Sequence, residues 1–125
     1  MINEKRRKIE NTLKMFEIQN SIEGIKFLIV QGDRAFVEEA ELFKVSKGKK
    51  QKRKFWLFTD ILIYGQTKKP GLFQFKGQVS FGKALIKDAG SLDINIINVE
   101  KKKTITLCCD TGKHNFTNLY ERKFL

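Results

Sequence analysis

Residues 44–64, KVSKGKKQKRKFWLFTDILIY, join a dense basic run to two apolar segments. The apolar segments meet at Thr59-Asp60, which is typical of a tight turn, and this pattern predicts a β-hairpin. The basic run contains no acidic residue and repels itself, so it requires either full solvation or an anionic partner. We therefore predict an anion-binding loop on a hairpin, with a function in binding rather than in chemical transformation. The predicted anion-binding side chains are Lys44, Lys47, Lys49, Lys50, Lys52, Arg53 and Lys54.

The composition is that of one small globular domain, alone or with an appended segment. The chain has 125 residues and a formal net charge of +11, and such a charge favours nucleic acid, anionic lipid or an acidic protein surface as partner. No apolar run approaches the roughly 20 residues of a transmembrane helix. Residues 1–11 are charged and lack the apolar core of a signal peptide. We expect a cytoplasmic protein that contacts membranes only peripherally.

Residues that usually carry catalysis or hold metals are sparse in this chain. Cys108 and Cys109 are adjacent and the single histidine is His114, a set without metal-ligand spacing. Neighbouring cysteines on a strand point to opposite faces, so no local disulfide is expected. The glutamates of residues 38–41 are interpreted as surface charge rather than as a general acid and base. We expect no cofactor and no enzyme active site.

The N-terminal segment, residues 2–22, is predicted to be an amphipathic helix. Ile2, Ile9, Leu13 and Phe16 fall at spacings of seven, four and three residues, which places them in one stripe. Gly24 is the first glycine and suits the end of the helix. Two interpretations are open: the stripe docks on the helix's own domain, or the helix is the end of a longer one from a preceding domain.

From Arg34 onwards the pattern changes to period two, which is typical of strands. Lys76-Gly77 interrupts the alternation and predicts a bulge. The spacing of Phe116, Leu119, Tyr120 and Phe124 predicts a C-terminal amphipathic helix. The fold class is therefore mainly β: a seven-stranded antiparallel barrel or sandwich with an N-terminal helix and a C-terminal capping helix. The seven predicted strands are Phe36–Val45, Phe55–Phe58, Ile61–Gly65, Leu72–Phe81, Ala84–Ile86, Asp93–Val99 and Thr104–Cys109.

The order of seven strands and one helix resembles a pleckstrin-homology (PH) domain. The resemblance extends to the Dbl family of Rho guanine-nucleotide exchange factors, in which the last helix of the catalytic Dbl-homology (DH) domain runs directly into a PH domain. Ile2–Gly24 resembles the end of that helix, Gly32–Val45 the linker and first PH strand, and Lys54–Gly65 the second and third PH strands. The positions that carry the last match are Leu57, Phe58, Asp60 and Leu62.

The resemblance is closest to the FYVE, RhoGEF and PH domain-containing group, and it implies three segments. Residues 1–24 are the C-terminal DH helix, residues 25–33 a linker, and residues 34–125 the PH domain. Two departures from the family are visible. Ala40 stands where the family usually has glycine, and the final helix contains no tryptophan, since the single Trp56 lies on a predicted strand.

The family also implies a ligand site between its first two strands. In PH domains that bind phosphoinositides tightly, a lysine ends the first strand and an arginine enters the second. Lys44 and Arg53 match these positions, whereas Ser46 and Gln51 stand where the family has further basic residues. Selective phosphoinositide binding, weak non-selective attraction to anionic lipid by the remaining lysines, and a merely solvated loop are all open.

The function implied by the resemblance is that of a membrane-targeting and regulatory PH module that orients the exchange domain. Its partners are then anionic membrane lipids and, through the full-length protein, a small GTPase of the Rho, Rac or Cdc42 type. We expect a monomer that does not catalyse exchange on its own. A protein-binding module using Trp56 and Phe58, or the helix stripe, is the alternative. A nucleic-acid-binding barrel ranks last, since the phenylalanines are predicted to face inward.

Overall fold

The structure, a computed structural model, describes residues 2–46, 48–80, 84–90, 93–98 and 103–108, with the side chains of residues 5–45 and 48–80. One helix begins the chain and strands follow it. The elements are α1 (Ile2–Ser21), β1 (Ile22–Glu23), β2 (Phe36–Ser46), β3 (Lys49–Phe58), β4 (Ile61–Lys69), β5 (Leu72–Ser80), β6 (Ala84–Gly90), β7 (Asp93–Asn98) and β8 (Lys103–Cys108).

The described strands form one sheet in the order β1-β5-β4-β3-β2-β8-β7-β6. All neighbouring pairs are antiparallel except β1 with β5, which is a parallel pair of two residues. The predicted bulge in β5 is confirmed, because Tyr64 pairs with Gly77 and Gly65 pairs with Phe75, which leaves Lys76 unmatched. The prediction of a mainly β chain with an N-terminal helix is confirmed. The capped seven-stranded barrel stays a prediction, and its C-terminal helix falls outside the described residues.

Strand β3 is longer than the sequence predicted. It begins at Lys49 instead of Phe55, and its basic half pairs with the end of β2, so that Leu42 lies opposite Arg53 and Ser46 opposite Lys49. The connection between the strands contains Gly48 at a φ of 77°, a conformation that glycine adopts without strain. The basic run is therefore mostly strand, and the prediction of a basic loop was wrong. An available partner strand outweighed the low strand propensity of lysine.

The sheet is buried on both faces where β3 and β4 cross its middle. Successive side chains of a strand alternate between faces, and Phe55 and Trp56 are 0% and 1% exposed although they point in opposite directions. One face is the inner face, which carries the buried side chains Ala40, Leu42, Phe55, Leu57, Leu62 and Val79. Ala40 lies there opposite Phe55, so its methyl group is accommodated within the inner core.

Helix α1 and the segment after it cover the other, outer face. Trp56 meets Phe73 edge-to-face, with ring centroids 5.0 Å apart. The buried members of this outer cluster are Met15, Ile18, Ile22, Ile29, Trp56, Phe58, Ile61 and Ile63. Burying one such side chain stabilises the fold by roughly 1.5–3 kcal/mol, so the helix is an integral layer of the domain. Because Trp56 and Phe58 lie under this layer, the interpretation of these two residues as a protein interface was wrong.

The face of α1 that docks is not the stripe identified in the sequence. Ile9, Leu13 and Phe16 are 60%, 62% and 49% exposed, while Met15 and Ile18 are buried. At about 100° per residue, the exposed stripe and the docked face are separated by roughly 150° around the helix. Docking of the predicted stripe on its own domain was therefore wrong. The helix is apolar on two nearly opposite sides.

Two amide side chains fix α1 against the rest of the domain. Asn11 accepts a hydrogen bond from the backbone N–H of Phe36 at 3.0 Å and donates one to its carbonyl at 3.1 Å. Gln19 accepts from the N–H of Ile29 at 2.7 Å and donates to the carbonyl of Phe27 at 3.1 Å. An amide offers one acceptor and a donor side by side, so each side chain satisfies backbone groups as a neighbouring strand would.

Candidate anion-binding site on the β2–β3 hairpin

The register of the hairpin divides the predicted anion-binding residues between two faces. Residues directly opposite each other in an antiparallel pair share a face, and Lys44 lies opposite Gln51 while Arg53 lies opposite the buried Leu42. Lys44, Lys49 and Arg53 therefore belong to the inner face. The side chains on the outer face are Lys50, Lys52 and Lys54. Lys47 lies outside the described residues, so the structure brings together parts of the predicted set rather than all of it.

On the inner face, Lys44 and Arg53 share a side of the hairpin with Tyr64. The Lys44 Nζ lies 5.1 Å from the centroid of the Tyr64 ring, which is in cation–π range. Phe55 stands beneath the same ring at a centroid distance of 5.7 Å. Burial raises the pKa of the Tyr64 phenol, and the positive charge of Arg53 opposes that shift. Tyr64 thus forms a neutral floor below two cationic groups, and sequence reasoning did not assign it to the site.

Arg53 is held by hydrogen bonds within its own strand. Its Nη1 donates to the carbonyl of Lys52 at 3.0 Å, and its Nη2 donates to the Gln51 Oε1 at 3.2 Å. A guanidinium group presents donors in a planar fork that matches phosphate or carboxylate oxygens. Gln51 stands where the PH pattern expects a basic residue, and here its amide oxygen occupies part of that fork.

On the outer face, two of the predicted anion-binding lysines pair with acidic residues of β2. Lys52 Nζ lies 3.1 Å from a carboxylate oxygen of Glu41, and Lys54 Nζ lies 3.8 Å from one of Glu39. Glu39 also pairs with Lys14 of the helix at 3.1 Å. These two lysines of the basic run thus have anionic partners within the chain itself. Surface pairs of this kind contribute about 0–1 kcal/mol each, but they reduce the charge left for a ligand.

The described part of the hairpin presents its remaining cations at two levels. Lys49 and Lys50 are exposed near its tip and form no ion pair within the part of the chain that the structure describes. Lys44 and Arg53 lie lower, beside the aromatic floor. This arrangement suits the binding of a phosphate or carboxylate group by two inner cations, with the two tip lysines adding long-range attraction.

Neither a membrane-spanning helix nor a metal-ligand cluster is found among the described residues. No described helix is long and apolar enough to cross a membrane. Within the described ranges, no group of three or more histidine, cysteine, aspartate or glutamate side chains is placed to hold a metal ion. The hairpin is the site that the described charges favour.

No family model matches the chain, but its sequence is similar to parts of multidomain proteins. Mouse (Mus musculus) FYVE, RhoGEF and PH domain-containing protein 6 is 30% identical over 96 residues, which are 74% of this chain and 7% of that protein. Human (Homo sapiens) FERM, ARHGEF and pleckstrin domain-containing protein 2 is 38% identical over 69 residues, 55% of this chain and 6% of that protein. The chain thus spans less than a tenth of the curated relatives that it matches.

Solved structures match over nearly the whole chain, helix included. An activated truncation of Vav1 has a TM-score of 0.77 at 17% identity, over 94% of this chain and 33% of that one. The DH/PH domains of p115-RhoGEF give 0.77 at 15% identity, over 98% and 43% of the two chains. The DH/PH fragment of PDZRhoGEF, solved in complex with human RhoA, gives 0.74 at 18% identity, over 98% and 41%.

Sequence and fold point to the same family. The sequence relatives include FYVE, RhoGEF and PH domain-containing proteins, and the structural neighbours are DH/PH exchange factors. The resemblance of this chain to the PH domain of a Dbl-family Rho exchange factor is confirmed.

Proposed function

We propose that this chain is the regulatory, membrane-targeting PH module of a Rho-family guanine-nucleotide exchange factor, and that it binds anionic lipid through the β2–β3 hairpin. The observation that carries the proposal is that Lys44 lies over the Tyr64 ring while Arg53 shares the same inner face of the hairpin. In this assignment residues 1–24 end the DH domain, residues 25–33 form the linker, and residues 34–125 form the PH domain. The protein is then cytoplasmic and peripherally membrane-bound.

The arrangement of the hairpin favours electrostatic attraction to anionic membranes over recognition of one head group. Lys52 and Lys54 are paired with glutamates, and the Arg53 fork is partly occupied by Gln51. Each basic residue near an anionic leaflet contributes about 1 kcal/mol, and this contribution falls off within a Debye length. Lys49 and Lys50, exposed at the tip, supply that attraction without discriminating among head groups.

The exposed stripe of α1 supports the second part of the proposal, the orientation of an exchange domain. Ile9, Leu13 and Phe16 present an apolar surface on the side opposite the PH domain. We propose that helices of the preceding DH domain cover it. Asn11 and Gln19 fix α1 to the sheet, so the helix transmits the orientation of one domain to the other. This interface replaces Trp56 and Phe58 as the protein-binding surface.

A Rho-type GTPase is the partner that we propose for the longer protein. Support comes from a structural neighbour, the DH/PH fragment that was solved in complex with RhoA. In the proposed assignment this chain carries one helix of the DH domain, and we expect it not to stimulate nucleotide exchange by itself. A nucleic-acid partner is disfavoured, because Phe27, Phe55 and Phe58 are engaged in the core rather than displayed for stacking.

Vesicle co-sedimentation tests the lipid proposal. Vesicles of phosphatidylcholine alone, with phosphatidylserine, and with a phosphoinositide at matched charge would be compared for wild type, Arg53→Ala and Lys44→Ala. The matched control is Lys26→Ala, which removes one exposed charge from the linker. We expect the hairpin variants to lose binding to both anionic vesicles alike, and Lys26→Ala to lose less. Absence of wild-type binding at physiological salt would refute the lipid function, while a loss confined to phosphoinositide vesicles would refute non-selective attraction.

A further inference from the structure

A groove of about 320 Å³ lies between the N-terminal half of α1 and the segment that leads into β2. Arg7, Lys8 and Thr12 line it from the helix, and Val30 and Asp33 line it from the opposite side. Its volume is at the lower end of the range for small-molecule sites, about 300–1,000 Å³. It is separate from the β2–β3 hairpin, and what it binds is independent of the proposed lipid function.

The chemistry of the groove is apolar at its base and cationic at its rim. Met15 is 3% exposed and supplies an apolar wall together with Val30. Arg7 and Lys8 are exposed, and neither forms an ion pair with any other described residue. Arg34 also lines the groove, but its guanidinium is paired with Asp60. We therefore expect Arg34 to shape the groove rather than to bind an anion. Asp33 is the single acidic side chain among the lining residues.

Both walls of the groove are fixed before any ligand arrives. Asn11 lines the groove and its amide bonds both backbone groups of Phe36, which ties the helix wall to the start of β2. Met15 belongs to the docked side of α1, roughly 150° away from the exposed stripe at about 100° per residue. Met15 therefore forms the part of the groove farthest from the stripe, whereas Lys8 and Thr12 also line a surface pocket with Ile9 and Leu13.

We propose that this groove binds a small molecule with a compact apolar body and a single carboxylate. The apolar body would contact Met15 and Val30, and the carboxylate would meet Arg7 and Lys8 at the rim. Arg7 and Lys8 are not ion-paired with any residue whose side chain the structure describes, and their charges favour an anion over a neutral or cationic group of the same shape. Asp33 weakens the attraction, and its removal should strengthen binding.

The probes are 2-naphthoate and its neutral amide, 2-naphthamide, titrated into the isotopically labelled 125-residue chain by amide NMR. We expect shifts at the groove residues with naphthoate, and at least about threefold weaker binding of the naphthamide, as one or two exposed charge contacts allow. Arg7→Glu/Lys8→Glu should weaken the binding of naphthoate about threefold or more. The milder Arg7→Gln/Lys8→Gln should weaken it less, and Asp33→Asn should strengthen it.

Lys5→Glu/Arg6→Glu is the matched control, because it makes the same change of charge on the same helix at residues that do not line this groove. An equal loss with this control would assign the attraction to overall charge and overturn the site. Equal affinity for the two probes would overturn the proposed carboxylate contact. The absence of shifts at Thr12, Val30 and Ala35 at millimolar probe would overturn the groove as a binding site. The amide spectra also show whether each variant is folded, so a loss of binding can be distinguished from a loss of structure.

Discussion

Arg34 and Asp60 form a two-point ion pair that fastens the segment after α1 to the β3–β4 turn. The Arg34 Nε lies 2.7 Å from the Asp60 Oδ1, and the Nη2 lies 3.0 Å from the Oδ2. Arg34 is 9% exposed in its side chain and also donates to the carbonyl of Ile29 at 3.1 Å. The aspartate that marks the PH resemblance in the sequence thus has a structural role, because it holds the linker against the hairpin.

Asp60→Asn should destabilise the domain by about 2 kcal/mol, because the nearly buried guanidinium loses its charged partner. The expected loss stays modest because Asp60 itself is 53% exposed and its charge is screened by solvent. Urea denaturation followed by tryptophan fluorescence measures the change, since Trp56 is buried in the outer cluster. Asp33→Asn, at an exposed position nearby, should change the free energy of unfolding by less than about 0.5 kcal/mol. Equal effects of the two substitutions would contradict the structural role of the pair.

How far the sequence predicted the fold is clearest in this hairpin. The apolar alternation of residues 55–64 and the turn at Thr59-Asp60 are local signals, and they correctly placed β3 next to β4. The pairing of Lys52 with Glu41 is different, because it depends on the register between β2 and β3. Register arises from the whole sheet, so the sequence alone could not show that Lys52 and Lys54 lie beside glutamates of β2.

The face of helix α1 that docks on the sheet could not be predicted for a related reason. Its periodicity identified the stripe of Ile9, Leu13 and Phe16, but a second apolar face begins only at Met15 and Ile18 and continues in β1. Sequence periodicity cannot decide which of two apolar faces a domain covers. The backbone contacts of Asn11 and Gln19 likewise depend on segments distant along the chain, and no local pattern reported them.

Tyr64 should make the stability of the domain depend on pH in the alkaline range. Its pKa is raised above the ordinary value of 10.0 by burial, so the folded state binds the phenolic proton more tightly than the unfolded state does. Its contribution is therefore fully present below pH 10 and is lost as pH rises from there through the folded pKa. The free energy of unfolding should decrease as the pH rises from neutral through this window. In Tyr64→Phe the decrease should be smaller, because the titrating phenol is absent.

The effect of Arg53 on the pKa of Tyr64 can be tested by following tyrosine absorbance as the pH is raised. Arg53 lowers the pKa of Tyr64, so Arg53→Ala should move the tyrosine absorbance transition to higher pH. The chain has two tyrosines, and Tyr120→Phe leaves Tyr64 as the single titrating phenol. Lys26→Ala, which removes an exposed charge from the linker, should leave the transition unchanged. A transition that stays in place after Arg53→Ala would show that Arg53 exerts no electrostatic effect on Tyr64.

Gln51 is the residue that we expect to limit lipid binding. Its amide oxygen accepts a hydrogen bond from Arg53 at 3.2 Å, and it lies opposite Lys44 on the inner face. Gln51→Lys should release the guanidinium and add a fourth cation to the inner face, raising the affinity for anionic vesicles about fivefold, as about 1 kcal/mol per basic residue implies. Vesicle co-sedimentation with phosphatidylserine and with a phosphoinositide measures the change.

The control for Gln51→Lys is Gln31→Lys, which adds the same charge at an exposed linker position. Gln51→Lys should exceed this control, and the excess should be greater for the phosphoinositide, because an additional cation on the inner face favours a multivalent head group. Equal gains from the two substitutions would indicate that net charge alone sets membrane binding.

The exposed stripe of α1 gives a prediction with opposite outcomes in two forms of the protein. In this chain, Leu13→Glu should change stability by less than about 0.5 kcal/mol, because the side chain is 62% exposed. Met15→Ala on the docked face, where the side chain is 3% exposed, should cost about 2–5 kcal/mol.

In a longer form of the protein that carries the preceding helical domain, Leu13→Glu should become strongly destabilising, because it would place a charge in an apolar interface. Thermal unfolding of the two forms, each with and without the substitution, measures this difference. Glu17→Gln, at an exposed helix position that pairs only with Lys14 at 3.8 Å among the described residues, serves as the control in both. If Leu13→Glu is as mild in the longer form as in this chain, the stripe is not an interface with that domain. The rigid coupling proposed between the two domains would then fail with it.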